Sequence, residues 1–394
     1  MNFNLDKSAW KRVSLGDVAA ASKEKVDPSD GSVARYVAGE HMDTNDLKLH
    51  RWGNIGEVDL GPAFHRRFRP GQVLYGSRRT YLRKVAVADF SGVCSNTTFV
   101  VESKDAELLL QRFLPFVMTS EPFHSFAVAE SKGSVNPYVN WSDIARFEFD
   151  LPSIAEQEHI ADLIWAVERH KRALDQISQR VRNTLQLQLV RSIGTFDSRR
   201  RLGDLTSIRS GPSYAASNVF PTAVEGSIPV LGIPNTRPDG KIDLTAVNHV
   251  KGISESTETV DETSLILIRT NGNRKRIGNV YLPPSEARGY AVSAFQFLMK
   301  VADPSYRDYL YWVLRTDTMQ ERMSDAASGT TGLGNLAVRW LNEQEIPWPA
   351  TASERDHFLA IVSSYIDAEN SISDEKAKLS TLRSSLLADI VGGT

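Results

Sequence analysis

The sequence predicts a mixed α/β protein: two tandem globular domains separated by two long antiparallel coiled-coil helices, with a pseudo-two-fold internal repeat. Three observations predict it. A highly charged stretch without proline or glycine, apolar at every seventh position, occurs twice. Each copy follows a segment of mixed strand-like and helix-like runs punctuated by glycine, proline and asparagine. Short sequence markers also recur in the same order in both halves.

In chain order, the expected parts are a first domain over 1–152, a central helix over 153–196, a second domain over 197–349 and a second helix over 350–394. The helix starts resemble each other, "LPSIAEQEHIADLI" from Leu151 and "WPATASERDHFLAIV" from Trp348. The first seam runs through Ile160, Val167, Leu174 and Val181, with Leu163 and Ile177 in the +3 places; the second runs through Phe358, Tyr365, Ile372, Leu379 and Leu386, with Ile361 and Leu382 in the +3 places. The seams are offset by 198 residues, and "VGGT" is the expected stop of the second. Each seam is the obvious partner of the other. A helix of roughly 40 residues spans about 60 Å, so an antiparallel pair would hold the domains apart about a pseudo-two-fold axis, which suits a two-part, pseudo-symmetric target; DNA half-sites roughly 34 Å apart are one such target. Upstream, "LGD" at Leu15–Asp17 returns at Leu202–Asp204, and "VNW" at Val139–Trp141 is echoed by "VRW" at Val338–Trp340. "VCSNTTFVVE", "SLILI" and "AVSAFQFLMKV" read as strands, "AELLLQRFLPFVM" and "YRDYLYWVL" as short helices.

Composition removes several function classes. With 41% apolar and 24% charged residues, the chain is neither disordered nor membrane-spanning in character, and "MNFNLDKSAWKRVSLG" has no apolar run for a signal peptide. The single cysteine, Cys94, excludes an internal disulfide framework, reads as a buried small apolar residue and suits a cytoplasmic protein. No phosphate-binding G-x-x-x-x-G-K-[ST] loop is present, and the G-x-G within "GTTGLGNL" does not open a helix in a βαβ unit. "NPYV" at Asn136–Val139 matches only part of an adenine-methyltransferase signature. The histidines lack metal-ligand spacing; His159 and His357, in equivalent places, read as packing or partner contacts. Asp374, Glu375 and Lys376 read as a solvated helix face. No catalytic residues, no metal ligands and no enzymatic activity are expected.

The near-neutral net charge of −2 hides basic clusters. "FHRRFRPGQVLYGSRRTYLRK" holds Arg66, Arg67, Arg69, Arg78, Arg79, Arg83 and Lys84, interleaved with aromatics including Tyr81; the nearest acids are Asp59 and Asp89. The second half has Arg269, Arg274, Lys275 and Arg276, with Asn271 and Asn273. Arginine forks suit phosphates and guanine edges, and asparagine suits adenine. A single such cluster reads as a solvated loop; two at corresponding positions, with Arg83 set against Arg276, favour nucleic acid. The glycine loops Ser131–Pro137, with Lys132, and Ser328–Asn335 are further candidates for DNA contact.

These pieces together resemble the specificity subunit of type I restriction-modification systems. "LPSIAEQEHI" fits L-P-x-x-x-E-Q-x-x-I through Leu151, Pro152, Glu156, Gln157 and Ile160. "WKRVSLGDV", with Trp10, Leu15, Gly16 and Asp17, is similar to the entry of that family's first target-recognition domain, and "GQVLYGSRRTYLRKVAVADFSGVCSNTTFVV" to a segment within such domains. The second copy departs from the motif: one extra residue precedes Glu354, Arg355 replaces the glutamine and Phe358 the isoleucine. The resemblance implies a non-catalytic subunit whose two domains each read half of a bipartite double-stranded DNA target. Its helices would set the spacing and dock two methyltransferase subunits using S-adenosylmethionine, while motor-nuclease subunits would use ATP and Mg. No cofactor is then expected on this chain. The rival expectations are a protein-interaction scaffold binding two copies of a partner, and an enzyme acting on nucleic acid by itself.

Overall fold

The computed structural model describes residues 7–329 and 332–391, so the expected stop at Gly392–Thr394 and two residues of the second glycine loop, Thr330 and Thr331, lie outside the described residues. The chain divides into two compact units, residues 1–175 with 373–394 and residues 176–372, and each holds part of both long helices.

The first unit opens on a ribbon, Lys11–Ser14 antiparallel to Glu148–Leu151. Ser14 then caps a one-turn helix, Leu15–Val18, in a reciprocal box with Asp17. Gly16 is required there: its N–H donates to Ala145 O at 2.8 Å, and a Cβ would stand 3.0 Å from Ala145 Cβ. Gly203 approaches Asn342 in the same way, with 2.9 Å left for a Cβ, which explains the repeated "LGD". An antiparallel sheet follows in the order Ala19–Ala21, Thr98–Ser103, Val73–Gly76 and Val85–Val87. A mixed sheet orders Gly53–Asn54, Arg35–Val37, Gly92–Ser95 and Phe64–Phe68, with its two central strands parallel. Leu15, Tyr75, Phe113, Phe116 and Phe123 form one core with Ile160 and Ile164 of the central helix and Leu386 and Ile390 of the second.

The second unit repeats this plan. Its antiparallel sheet runs Thr206–Ser210, Gln296–Val301, Ser264–Ile268, Val280–Tyr281, and its mixed sheet Val219–Phe220, Asn248–Lys251, Ser227–Leu231, Ala291–Val292. Ala291–Val292 is the edge of that sheet, so the strand Phe64–Phe68 has no counterpart. The runs "VCSNTTFVVE" and "AVSAFQFLMKV" each split into two strands of different sheets. "AELLLQRFLPFVM" is helical only over Leu114–Met118, because Gln157 ties Leu108 and Leu110 into turns.

Two equivalences need correction. Leu15 N–H donates to Phe147 O and Leu202 N–H to Gln344 O, both at close to 2.8 Å. That register sets Val139 against Leu336, both buried, and Trp141 against Val338, so "VRW" is two residues out of step with "VNW". Likewise Arg83, at φ 50°, matches Gly278, at φ 82°, and Tyr81 and Lys275 are the central residues of the equivalent one-turn helices.

Both long helices, Ile154–Gly194 and Ala352–Val391, begin with a side-chain cap. Ser153 Oγ accepts from Glu156 N–H at 3.4 Å, and Glu156 accepts from Ser153 N–H at 3.0 Å. Thr351 Oγ1 accepts from Glu354 N–H at 3.2 Å, and Glu354 reaches Ala350 N–H at 2.7 Å; Ala350 is the extra residue of the second copy. Within each unit the helix segments run antiparallel. In the first unit Glu168 pairs with Arg383 at 2.5 Å, and Asp175 with Lys376; in the second, Ser178 and Arg182 bond Glu369 at 3.0 and 3.1 Å. Ile160, Val167, Leu174, Phe358 and Leu386 are buried, while Val181, Tyr365, Ile372 and Leu379 are half-buried. Leu163 and Ile177 are exposed: the other buried line lies at +4, where Ile164, Ser178, Leu185 and Arg383 sit.

Cys94 is buried, and burial pushes its thiol up to about 12. His124 is also buried, with neither ring nitrogen hydrogen-bonded among the described residues. Burial, and the charges of Arg83 and Arg383 against that of Glu121, push it down to about 4. The unfolded chain therefore binds the extra proton between an ordinary value of 6.5 and about 4. Stability from this group is complete above pH 6.5 and declines as pH falls toward 4. His124→Leu is expected to flatten that decline in urea melts; an unchanged pH slope would remove His124 from the account.

Candidate nucleic-acid interface

In the first unit the basic cluster separates by role. Arg66, on the edge strand, donates to Thr98 O at 3.2 Å and lies 5.4 Å from the Phe99 ring. It lines a cleft of about 640 Å³ with Lys23, Lys25, His65 and Trp141. Arg67 and Arg69 face Glu24, Arg67 at 3.5 Å and Arg69 through two bonds of 2.7 and 3.0 Å. The Arg69 hydrogen bond holds the Glu24 carboxyl below its ordinary value. Arg83 grips Glu121 through bonds of 2.6 and 2.7 Å, and that bond likewise keeps Glu121 low. Lys84 donates to Gly39 O. Lys132 sits on Asp143 at 2.9 and 3.0 Å and holds that carboxyl low.

The residues facing outward are fewer. Arg78 is exposed, its backbone bridged to Tyr138, and its side chain has no hydrogen-bond or ionic partner among the described residues. Arg79, at φ 52°, donates to Asn136 Oδ1 at 3.0 Å, a neutral contact that leaves its charge uncompensated. Tyr81 is 54% exposed. Arg78, Arg79 and Lys84 line a second cleft of about 420 Å³, in which Glu40 is the one carboxylate.

In the second unit, Arg269 donates to Asn335 Oδ1 at 3.0 Å and lies 5.6 Å from Phe297. Phe297 is the repeat partner of Phe99, so Arg66, on the strand Phe64–Phe68, and Arg269, just after the strand Ser264–Ile268, reach equivalent rings from different places. Asn271 accepts from Asn273 N–H at 2.9 Å, and Asn273 caps the turn Arg274–Arg276. Arg274 donates to Ala327 O and Arg276 to Thr236 O. Lys275 is exposed and without such a partner among the described residues. The sequence reading missed Arg199, Arg200 and Arg201, all exposed on the ribbon strand Ser198–Arg201, with Arg200 5.4 Å from the Trp348 ring; the visible signal was the arginine triplet. His159 and His357 are exposed, and His357 lines a cleft with Gln188 and Arg191. Among the described residues, no group of three or more His, Cys, Asp or Glu is arranged to hold a metal, and no helix is long and apolar enough to cross a membrane.

Comparison with known proteins adds a domain match and several relatives. Residues 7–182 match the type I restriction modification DNA specificity domain. The chain is similar to the EcoDI type I restriction enzyme specificity subunit of Escherichia coli, 27% identical over 176 residues, covering 45% of this chain and 38% of that relative. A solved structure concerned with complex assembly and conformational transition of the type I R-M system has a TM-score of 0.62 at 17% identity, covering 98% of both chains. The S subunit of a type I restriction-modification system from M. genitalium gives 0.53 at 15% identity, covering 100% of this chain and 98% of that one. At these identities the two structures speak for the fold. On these matches together, residues 7–182 form a domain similar to the DNA specificity domain of type I restriction-modification systems.

Proposed function

We propose that the chain recognises DNA for a type I restriction-modification complex, each unit reading one half of a bipartite target. The observation that carries the reading is one fold built twice, each copy presenting a basic loop between equivalent strands. The long helices would set the gap between half-sites and dock two methyltransferase subunits. Those subunits would use S-adenosylmethionine on an adenine flipped from the duplex, and motor-nuclease subunits would use ATP and Mg. The chain itself would be non-catalytic and would act in the cytoplasm, where the DNA is.

Methylome mapping of the host with and without this gene tests the reading. Loss of adenine methylation at one split motif with a fixed gap is the expected result. An unchanged methylome beside an active methyltransferase partner would favour the protein-interaction scaffold instead. At residue level, Arg78→Ala and Arg79→Ala are each expected to weaken DNA binding and lower the salt slope, by up to about 0.9 per lost phosphate contact. Arg83→Ala should leave the slope nearly unchanged, because Glu121 already compensates that guanidinium. Equal slopes for all three variants and the unaltered protein would exclude this loop from the interface.

A further inference from the structure

Two loops in each unit are stitched together beside the basic residues, and in each unit they carry an apolar side chain in the open. In the first unit, Arg79 N–H donates to Pro137 O at 2.6 Å, Thr80 and Ser131 hydroxyls meet at 2.6 Å, and Val139 N–H donates to Ser77 O at 3.0 Å. Lys132 and Tyr138 exchange backbone bonds of 2.8 and 2.9 Å, closing the loop between them. At its tip Val135 is 85% exposed, and Tyr81 on the neighbouring loop is 54% exposed. The second unit repeats the arrangement: Leu336 N–H donates to Arg269 O at 2.9 Å, and Ser328 and Asn335 exchange bonds of 3.0 and 2.9 Å. Leu333, 57% exposed, stands in the corresponding loop, which is one residue longer, and Lys275 takes the place of Tyr81.

Single exposed apolar residues are ordinary. Here, however, an exposed aliphatic side chain stands in the corresponding loop of both copies of a diverged repeat, and neither belongs to a core cluster. The surroundings are cationic, with Arg78 and Arg79 in the first unit and Lys275 in the second carrying uncompensated charge. An apolar tip held on a pinned loop among cations suits the base stack of DNA: the cations meet phosphates while the tip enters between base pairs. We propose that Val135, with Tyr81 beside it, and Leu333 are wedges that open a base step in each half-site. The inference rests on the DNA-recognition reading and adds the mode by which each unit engages its half-site. Tyr81 against Lys275 makes the two wedges unequal, since an aromatic ring stacks on an opened base and an ammonium does not.

The full chain, assembled with its methyltransferase partner, would first be used to select targets from a random duplex library. 2-Aminopurine placed at successive steps of the selected duplex, leaving out the methylated adenines and their neighbours, which base flipping would unstack, then reports unstacking by the wedges. The unaltered protein is expected to raise fluorescence at one step in each half. Val135→Ser with Tyr81→Ser should abolish the rise in one half only and weaken binding roughly tenfold or more, with the salt slope unchanged. Leu333→Ser should do the same in the other half. These positions are exposed, so the variants keep their fold, which circular dichroism verifies. Specific selection with no fluorescence rise, or a rise that survives the substitutions, would overturn the wedges and leave DNA recognition standing. Failure to select any sequence would overturn both.

Discussion

Gln157→Leu is expected to detach the start of the central helix from the first domain and to cost several kcal/mol. The glutamine is fully buried and makes three bonds to backbone: it accepts from Leu110 N–H at 2.9 Å and donates to Leu108 O at 2.8 Å and Pro152 O at 2.9 Å. Leucine matches its size but leaves those groups without their partner, at about 1–3 kcal/mol for each one that water cannot reach. The readout is amide exchange at Leu110 together with urea melting. Unchanged protection at Leu110 and an unchanged midpoint would show that the glutamine is replaceable. The result also bears on the second copy, where Arg355 stands in the corresponding place. It reaches Ser305 Oγ at 2.6 Å and lies 4.8 Å from the Tyr306 ring. A different side chain there performs the same task, joining a helix start to the loop beside it.

Arg383→Met is expected to destabilise the first unit by about 3–5 kcal/mol, because it strands the Glu168 carboxylate in a seam from which water is nearly excluded. The two side chains are only 10% and 12% exposed, and Arg383 also donates to Thr119 Oγ1 at 3.3 Å. Adding Glu168→Met should recover most of the loss, since two methionines fill the space without an unpaired charge. A double variant as unstable as the single one would mean that packing, not charge, dominates this site. Arg383→Met should also let His124 titrate nearer its ordinary value, as one of the charges holding it down is gone.

Much of the architecture was legible because it rests on short-range rules. The caps at Ser153 and Thr351 show in the sequence as a hydroxyl residue three places before a glutamate. The "LGD" repeat marks a close backbone approach that only glycine permits. What was not legible depends on distant partners. Arg69 and Arg83 looked uncompensated because Glu24 and Glu121 lie 45 and 38 positions away and only folding brings them near. The second line of the helix seam was misplaced for a related reason. Its +4 positions include Ser178, Glu369, Lys376 and Arg383, which an apolar pattern passes over, whereas Leu163 and Ile177 are apolar yet face outward. "VRW" misled because its valine and tryptophan match those of "VNW" by identity alone, whereas the hydrogen-bond register sets Val139 against Leu336.

The division of the chain has a consequence for its synthesis. Residues 176–372, the second unit, form one uninterrupted stretch and are complete as soon as that stretch leaves the ribosome. The first unit is discontinuous: Leu386, Leu387 and Ile390, made after the second unit, belong to the same core as Leu15, made before it. The earlier-born domain therefore waits, with Ile160 and Ile164 uncovered, until the later-born one has been made. A chain terminated near residue 372 would carry a finished second unit attached to an unfinished first one.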